Sequence, residues 1–220
     1  MPFNVEQHPS PNFGDRRGGA TPSLIVLHYT AMQTAEDAIA RLCDPHAEVS
    51  AHYVICPQGR ITQLVDERHR AWHAGAGAWG DVTDVNSASI GIELANRGDH
   101  PFAEAQFAAL EWLLPHIMDR WDITPRGVIG HSDVAPGRKA DPGARFDWQR
   151  LARRGLAVWP AGGSAVKDTG EDMDAALKRA GYTADVDPDT RLAAFRLRFR
   201  PGGTGPADDV DRQLVAALLA

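Results

Sequence analysis

The chain has 220 residues, 43% of them hydrophobic and 24% charged, which allows one sizeable domain or a main domain with a small companion. A net charge of -6 argues against nucleic acid as the main partner, because phosphate binding needs a basic surface. No apolar run approaches the roughly 20 residues needed to span a bilayer. Two cysteines, Cys43 and Cys56, are too few for a disulfide framework and read as reduced, buried thiols.

The N-terminal stretch "MPFNVEQHPSPNFGDRRGGA" scatters its apolar side chains and has no apolar core of a leader, so a cytoplasmic location is expected, with a periplasmic one as the alternative if a native signal has been trimmed away. "PSLIVLHYT" is a continuous apolar run, the pattern of a strand buried on both faces. Thr34 can cap the following helix "AEDAIARL". "AHYVICP" and "ITQLVD" flank Gln58-Gly59-Arg60 and predict a hairpin. "ASIGIELAN" alternates apolar with small or polar residues, another strand. Residues 102–121 have helical periodicity, with a kink expected at Pro115. "GVIGH" reads as a short strand and "DWQRLARRG" as a short helix. Mixed strands and helices with a hairpin predict an α/β fold, a mixed central sheet flanked by helices. From "AVWPAGGSAVKDTG" the composition shifts to that of a linker. The boundaries expected are residues 1–160 for the main domain, 161–170 for the linker and 171–220 for a small bundle of three helices. In that bundle "LAAFRLRF" spaces Leu192, Phe195 and Phe199 as a core stripe.

Between the main strands and the linker lies "GHSDVAPGRKADPG", so dense in Gly and Pro that neither helix nor strand is expected there. It carries His131 at a strand end and Asp141 ten residues later; His28 ends another buried strand. Two imidazoles and a carboxylate suit zinc and leave a fourth position open, the mark of a catalytic rather than a structural site. Nine histidines occur, however, and a His at a strand end is commonly mere decoration. A rival trio, Cys43, His46 and His52, is tighter in spacing but lacks a fourth ligand and any CxxC. A serine-hydrolase reading of "GHSDV" fails, because Val134 replaces the last Gly of the G-x-S-x-G elbow.

"LIVLHYTA", "SAHYVI", "RAWHAG", "NSASIGIELAN" and "GHSDVAPGRKADPG" in this order resemble the zinc-dependent N-acetylmuramoyl-L-alanine amidases of the AmpD/AmiD type, related to phage T7 lysozyme and peptidoglycan-recognition proteins. The likeness is greatest to the AmiD branch and extends into "FRLRFRP". The resemblance implies zinc on His28, His131 and Asp141, an acidic catalytic residue at Glu93, and an oxyanion stabiliser at Lys139. It implies muropeptides as the substrate, cut between N-acetylmuramic or 1,6-anhydro-N-acetylmuramic acid and L-alanine, and a peptidoglycan-binding role for residues 171–220. Some relatives recognise peptidoglycan without cutting it, but these typically lack the third ligand, present here as Asp141. Trp72 and His73 could line the substrate site, and Asn86 lies where the family often touches substrate, although turn chemistry alone would place an Asn there. Ala51 stands where the T7-lysozyme group has Tyr, which excludes any mechanism using that Tyr. His52 is expected to pack or orient neighbours. All the proposed reacting groups precede Gly143, so cleavage is expected to need only the first region.

Overall fold

The computed structural model describes residues 3–160 and 172–220. The predicted linker, 161–170, lies outside the described residues. Strands β1 (Val5–Gln7) and β2 (Phe13–Gly14) precede β3 (Leu24–Tyr29), which is the continuous apolar run. Helix α1 (Ala35–Cys43) starts where the Thr34 hydroxyl accepts from the Asp37 N–H at 3.0 Å. β4 (Tyr53–Ile55) and β5 (Ile61–Gln63) pair antiparallel as the expected hairpin. Its Gly59 has φ +84°, and a Cβ there would stand 2.7 Å from the Ala105 carbonyl oxygen. β6 (Arg70–Ala71) pairs with β2 in a separate ribbon. α2 (Val85–Ala88), β7 (Ser89–Leu94), α3 (Glu104–Trp121) and β8 (Val128–Gly130) follow. α4 (His131–Val134) and α5 (Trp148–Arg153) end the first region, and α6 (Met173–Arg179), α7 (Pro188–Phe199) and α8 (Asp209–Leu219) form the C-terminal bundle.

Two expectations need correction. The "GHSDV" segment is not wholly irregular: its first residues make the single turn α4, because the Asp133 carboxylate accepts from the Gly130 N–H at 2.8 Å and closes that turn. Helix α3 runs on through Pro115, which is exposed, so the donor that proline lacks falls on the solvent side.

The six-stranded sheet has the order β1-β5-β4-β7-β3-β8, parallel except for the β4–β5 hairpin. This is the mixed sheet that the sequence pattern predicts. Alternation along the strands divides the side chains between two faces. Ile25, Leu27, Ile90, Ile92 and Leu94 pack with Leu110, Leu114 and Ile117 of α3. Each such fully buried aliphatic contributes about 1.5–3 kcal/mol. Leu24, Val26 and Ile129 face the other way, against Ala74, Val85 and Val134. His28 and, on β7, Ser89, Gly91 and Glu93 share that second face by the same alternation. In the bundle, Leu192, Phe195 and Phe199 do form a core, with Leu177, Tyr182, Val215 and Leu218, and Trp79 and Trp159 of the first region pack against it.

Candidate metal centre and active site

β3 and β7 run parallel with His28 directly opposite Glu93, so the two side chains emerge side by side on the second face. β8 lies on the other side of β3, and the chain leaves it at His131. The loop after α4 returns because the Ser132 N–H donates to the Asp141 carbonyl at 2.9 Å. Gly130 permits this return: a Cβ there would stand 2.8 Å from Pro142 Cδ. Ten residues of separation thus become contact. His28 Nδ1 lies 2.9 Å from His131 Nδ1 and 2.9 Å from Asp141 Oδ2, and His131 Nδ1 lies 3.0 Å from the same oxygen. All three residues are buried.

The far side of each ring fixes its proton. His131 Nε2 is 2.9 Å from the Ala74 carbonyl, which can only accept, so the proton sits on Nε2 and a neutral ring offers a lone pair at Nδ1. For His28 the same result comes through a relay. The Ser89 hydroxyl donates to the Val85 carbonyl and so accepts from His73 Nε2 at 3.2 Å. His73 Nδ1 then accepts from His28 Nε2 at 3.0 Å, which leaves His28 Nδ1 unprotonated. Burial lowers the His28 pKa to about 4, His131 adds to this and Asp141 opposes it, so the ring is neutral near pH 7. Burial also holds His73 well below its ordinary range, followed by the neighbouring rings. Burial works to raise the Asp141 carboxyl, but its position against the two imidazoles outweighs this and holds it below the usual carboxylate range, so the group is ionised near pH 7.

Two nitrogen lone pairs and a carboxylate oxygen therefore point at one another across about 3 Å. Such a cluster of acceptors is repulsive unless a cation sits among them, and the N,N,O donor set fits zinc. The relay and the Ala74 carbonyl supply the outer contacts that orient metal-ligating imidazoles.

The cluster opens into a cavity of about 410 Å³ lined by Tyr29, Trp72, His73, Glu93, Arg138 and Lys139 among others. Glu93 is half-buried, and its Oε2 is sealed from solvent without a hydrogen-bond partner. Burial pushes its carboxyl up to about 8, with Asp141 adding to the shift and Lys139 opposing it. An acid poised near neutrality at a cavity wall suits proton transfer. Lys139 is exposed at the rim.

Of the other residues named from sequence, Trp72 and His73 line this cavity. Asn86 does not line it. The residue is buried in α2, and its Oδ1 accepts from the His73 and Ala74 N–H groups at 3.1 and 2.8 Å. Its place is beneath the site, holding the segment that carries His73 and the Ala74 carbonyl. His52 is buried too, and its Nδ1 accepts from the Gly91 N–H at 2.9 Å. The rival metal trio does not assemble among the described residues: His28, His131 and Asp141 form the group with metal-binding geometry. Cys56 is buried as expected, whereas Cys43 is only partly so.

Sequence reasoning missed Ser89 and Gly91. A Cβ at Gly91 would stand 2.5 Å from the His73 ring, so this glycine lets the ring lie across β7. The available signal was a lone glycine inside a strand, "SIGIEL", which marks close approach. Arg138 was also missed; it donates to the Ala74 and Ala76 carbonyls and ties the 74–76 segment to the ligand loop.

The family model described as N-acetylmuramoyl-L-alanine amidase matches residues 18–144, a span that includes His28, Glu93, His131, Lys139 and Asp141. The chain is 37% identical over 230 residues to N-acetylmuramoyl-L-alanine amidase AmiD of Escherichia coli, covering 89% of this chain and 81% of that protein. It is 36% identical over 165 residues to 1,6-anhydro-N-acetylmuramyl-L-alanine amidase AmpD of Haemophilus influenzae, covering 67% and 90%. The structure of E. coli AmiD with anhydro-N-acetylmuramic acid-L-Ala-D-gamma-Glu-L-Lys superposes with a TM-score of 0.76 at 35% identity, over 94% of this chain and 96% of that one. With sequence, fold and site in agreement along most of its length, the chain belongs to the N-acetylmuramoyl-L-alanine amidase family.

Proposed function

We propose that this enzyme hydrolyses the amide between N-acetylmuramic acid, or its 1,6-anhydro form, and the L-alanine of muropeptides, with His28, His131 and Asp141 holding a zinc ion. The observation that carries the metal assignment is the convergence of three proton-free acceptor atoms, His28 Nδ1, His131 Nδ1 and Asp141 Oδ2, at 2.9–3.0 Å. The bond assignment rests on the relatives, since AmiD and AmpD carry this activity in their names and a solved AmiD structure is a complex with an anhydromuramyl peptide substrate.

Zinc bound there supplies Lewis acidity, which acidifies water and polarises a carbonyl. The residues do the rest. Glu93, as the ionised base, accepts a proton from the water that attacks the lactyl carbonyl, then returns it to the departing amine of L-alanine. Lys139 contributes positive charge at the cavity where the carbonyl oxygen becomes an oxyanion. Trp72 offers an indole face for the sugar or the stem peptide. We assign Asn86 to support of this wall rather than to substrate contact.

A recognition protein that binds without cutting is the competing reading, and Glu93 speaks against it: a recessed carboxylate left without a hydrogen-bond partner is costly unless it works. Mass spectrometry of defined muropeptides, with reducing and 1,6-anhydro ends, should show free L-Ala-peptide and sugar. Intact substrate with purified, zinc-loaded protein would overturn the enzymatic reading. Chelation should abolish turnover and zinc restore it, with about one zinc per chain.

Among the described residues no helix is long and apolar enough to cross a membrane. We place the reaction in the cytoplasm, on wall fragments carried inward. Fractionation of cells bearing the full native gene checks this, and activity in the envelope fraction would refute it.

A further inference from the structure

Asp133 lies two residues from His131, yet it faces away from the cavity and is fully buried. Its Oδ2 accepts from the Gly130 N–H at 2.8 Å, closing the turn from which His131 projects. The remaining partners come from the C-terminal bundle. Arg198 of α7 donates through Nη1 to Asp133 Oδ2 at 2.9 Å, and the Tyr182 hydroxyl donates to Oδ1 at 2.8 Å. Arg198 is itself buried, stacks 3.9 Å from the Trp148 ring centre, and reaches the Val128 carbonyl of β8 at 3.3 Å.

The bundle also grips the opposite side of the same ligand. The segment whose Ala74 carbonyl holds His131 Nε2 continues to Trp79, which packs edge-on to Tyr182 at 4.9 Å. Gly80 N–H donates to the Gly181 carbonyl at 2.9 Å, and the Thr183 hydroxyl donates to the Gly80 carbonyl at 2.8 Å. A Cβ at Gly181 would stand 2.5 Å from the Trp79 ring, so contact is as close as a backbone allows. Between the two grips, Ala78 N–H donates to the Val134 carbonyl of α4 at 2.9 Å.

We propose that Tyr182 and Arg198 are positioning residues for the metal site: through Asp133 they fix the turn that aims His131 Nδ1 at His28 and Asp141. The C-terminal helices are then a structural part of the catalytic centre, whatever else they bind. This stands against the expectation that cleavage needs only the first region. Direct hydrogen-bond partners of ligating side chains are worth about 10–100-fold in metal affinity or activity when lost, which sets the upper bound for groups one step further out.

The inference rests on the reading of His131 as a metal ligand, and the test separates the two. In the full chain, zinc affinity is measured by competition with a chromophoric chelator, beside thermal unfolding of the metal-free and zinc-loaded forms. Tyr182→Phe removes a single hydrogen bond and should weaken zinc binding by about tenfold, lower kcat and leave KM within about twofold. Leu192→Val, in the bundle core beside the groove lined by Ala193, Arg196 and Pro206, should lower Tm but leave zinc affinity unchanged. Combined with Asp133→Asn, Tyr182→Phe should add little further loss of affinity, because both act through one carboxylate. Arg198→Lys should lie between wild type and Arg198→Met in zinc affinity. Unchanged zinc affinity in Tyr182→Phe, or the same affinity loss in Leu192→Val, overturns the proposal. Wild-type zinc binding in His131→Ala would instead overturn the metal reading itself.

Discussion

Two recessed carboxylates in this protein lie beside the residues proposed to hold the metal, Asp133 two positions along the chain from His131 and Glu93 opposite His28 across paired strands, and they are treated oppositely. Asp133, at the seam between α4 and the C-terminal bundle, receives a backbone N–H, a tyrosine hydroxyl and a guanidinium. Glu93, on the cavity face of β7, leaves Oε2 with no partner and has its carboxyl pushed up to about 8, first by burial and then by Asp141. A satisfied buried charge is part of the architecture. An unsatisfied one beside a ligand cluster is kept in an energetically poor setting, which a proton-transfer role explains. The contrast teaches that a carboxylate's task here is read from its hydrogen-bond partners, not from its depth.

The largest effect expected from that contrast is on turnover. Glu93→Gln keeps the shape and removes the base, so kcat should fall by roughly 10²-fold or more while zinc stays bound. Stability gives the same variant a second signature. A carboxyl whose folded pKa lies near 8, above its unfolded value near 4.5, contributes stability that is present below about pH 4.5 and lost as pH rises through 8. Metal-free Glu93→Gln should therefore resist unfolding better than the parent above pH 8. An equal loss of stability with pH in both proteins would break the assignment.

Asp133→Asn should do the reverse, harming the fold first. It strands the buried Arg198 guanidinium, which costs about 3–5 kcal/mol, and denaturant titration measures this. A variant as stable as wild type would show that Asp133 is not the anchor described.

Gly91→Ala sharpens the comparison from the metal side. The added methyl would stand 2.5 Å from the His73 ring and push it off His28. Zinc affinity should fall about 10–100-fold, as for other outer contacts of a ligating imidazole. Chelator competition reads this directly, and unaltered affinity would remove His73 from the orienting role.

Lys139→Ala should give the smallest loss, about tenfold in kcat. Loss of a buried oxyanion donor typically costs 10²–10³-fold, but Lys139 is exposed at the rim and its charge is screened. Unchanged steady-state kinetics would relieve it of any part in the reaction.

Much of this molecule could be seen in one dimension. The run "LIVLHY" had to be a buried strand because its four leading side chains are aliphatic without interruption, and Thr34 and Gly59 marked a cap and a turn by local chemistry alone. His28, His131 and Asp141 stood out because their residue types suit one metal and because the motifs around them resemble a family. Period-two alternation decided that Ser89, Gly91 and Glu93 share a face. What alternation could not say is what would lie over that face, so the His73 relay and the need for Gly91 were invisible. Asn86 looked available to substrate for the same reason, until packing turned its amide onto the backbone of residues 73 and 74. The clasp on Asp133 is the extreme case: Tyr182 and Arg198 lie 49 and 65 residues away along the chain. Local preference carries no information over such distances; only the docking of one apolar core on another brings those donors to that carboxylate.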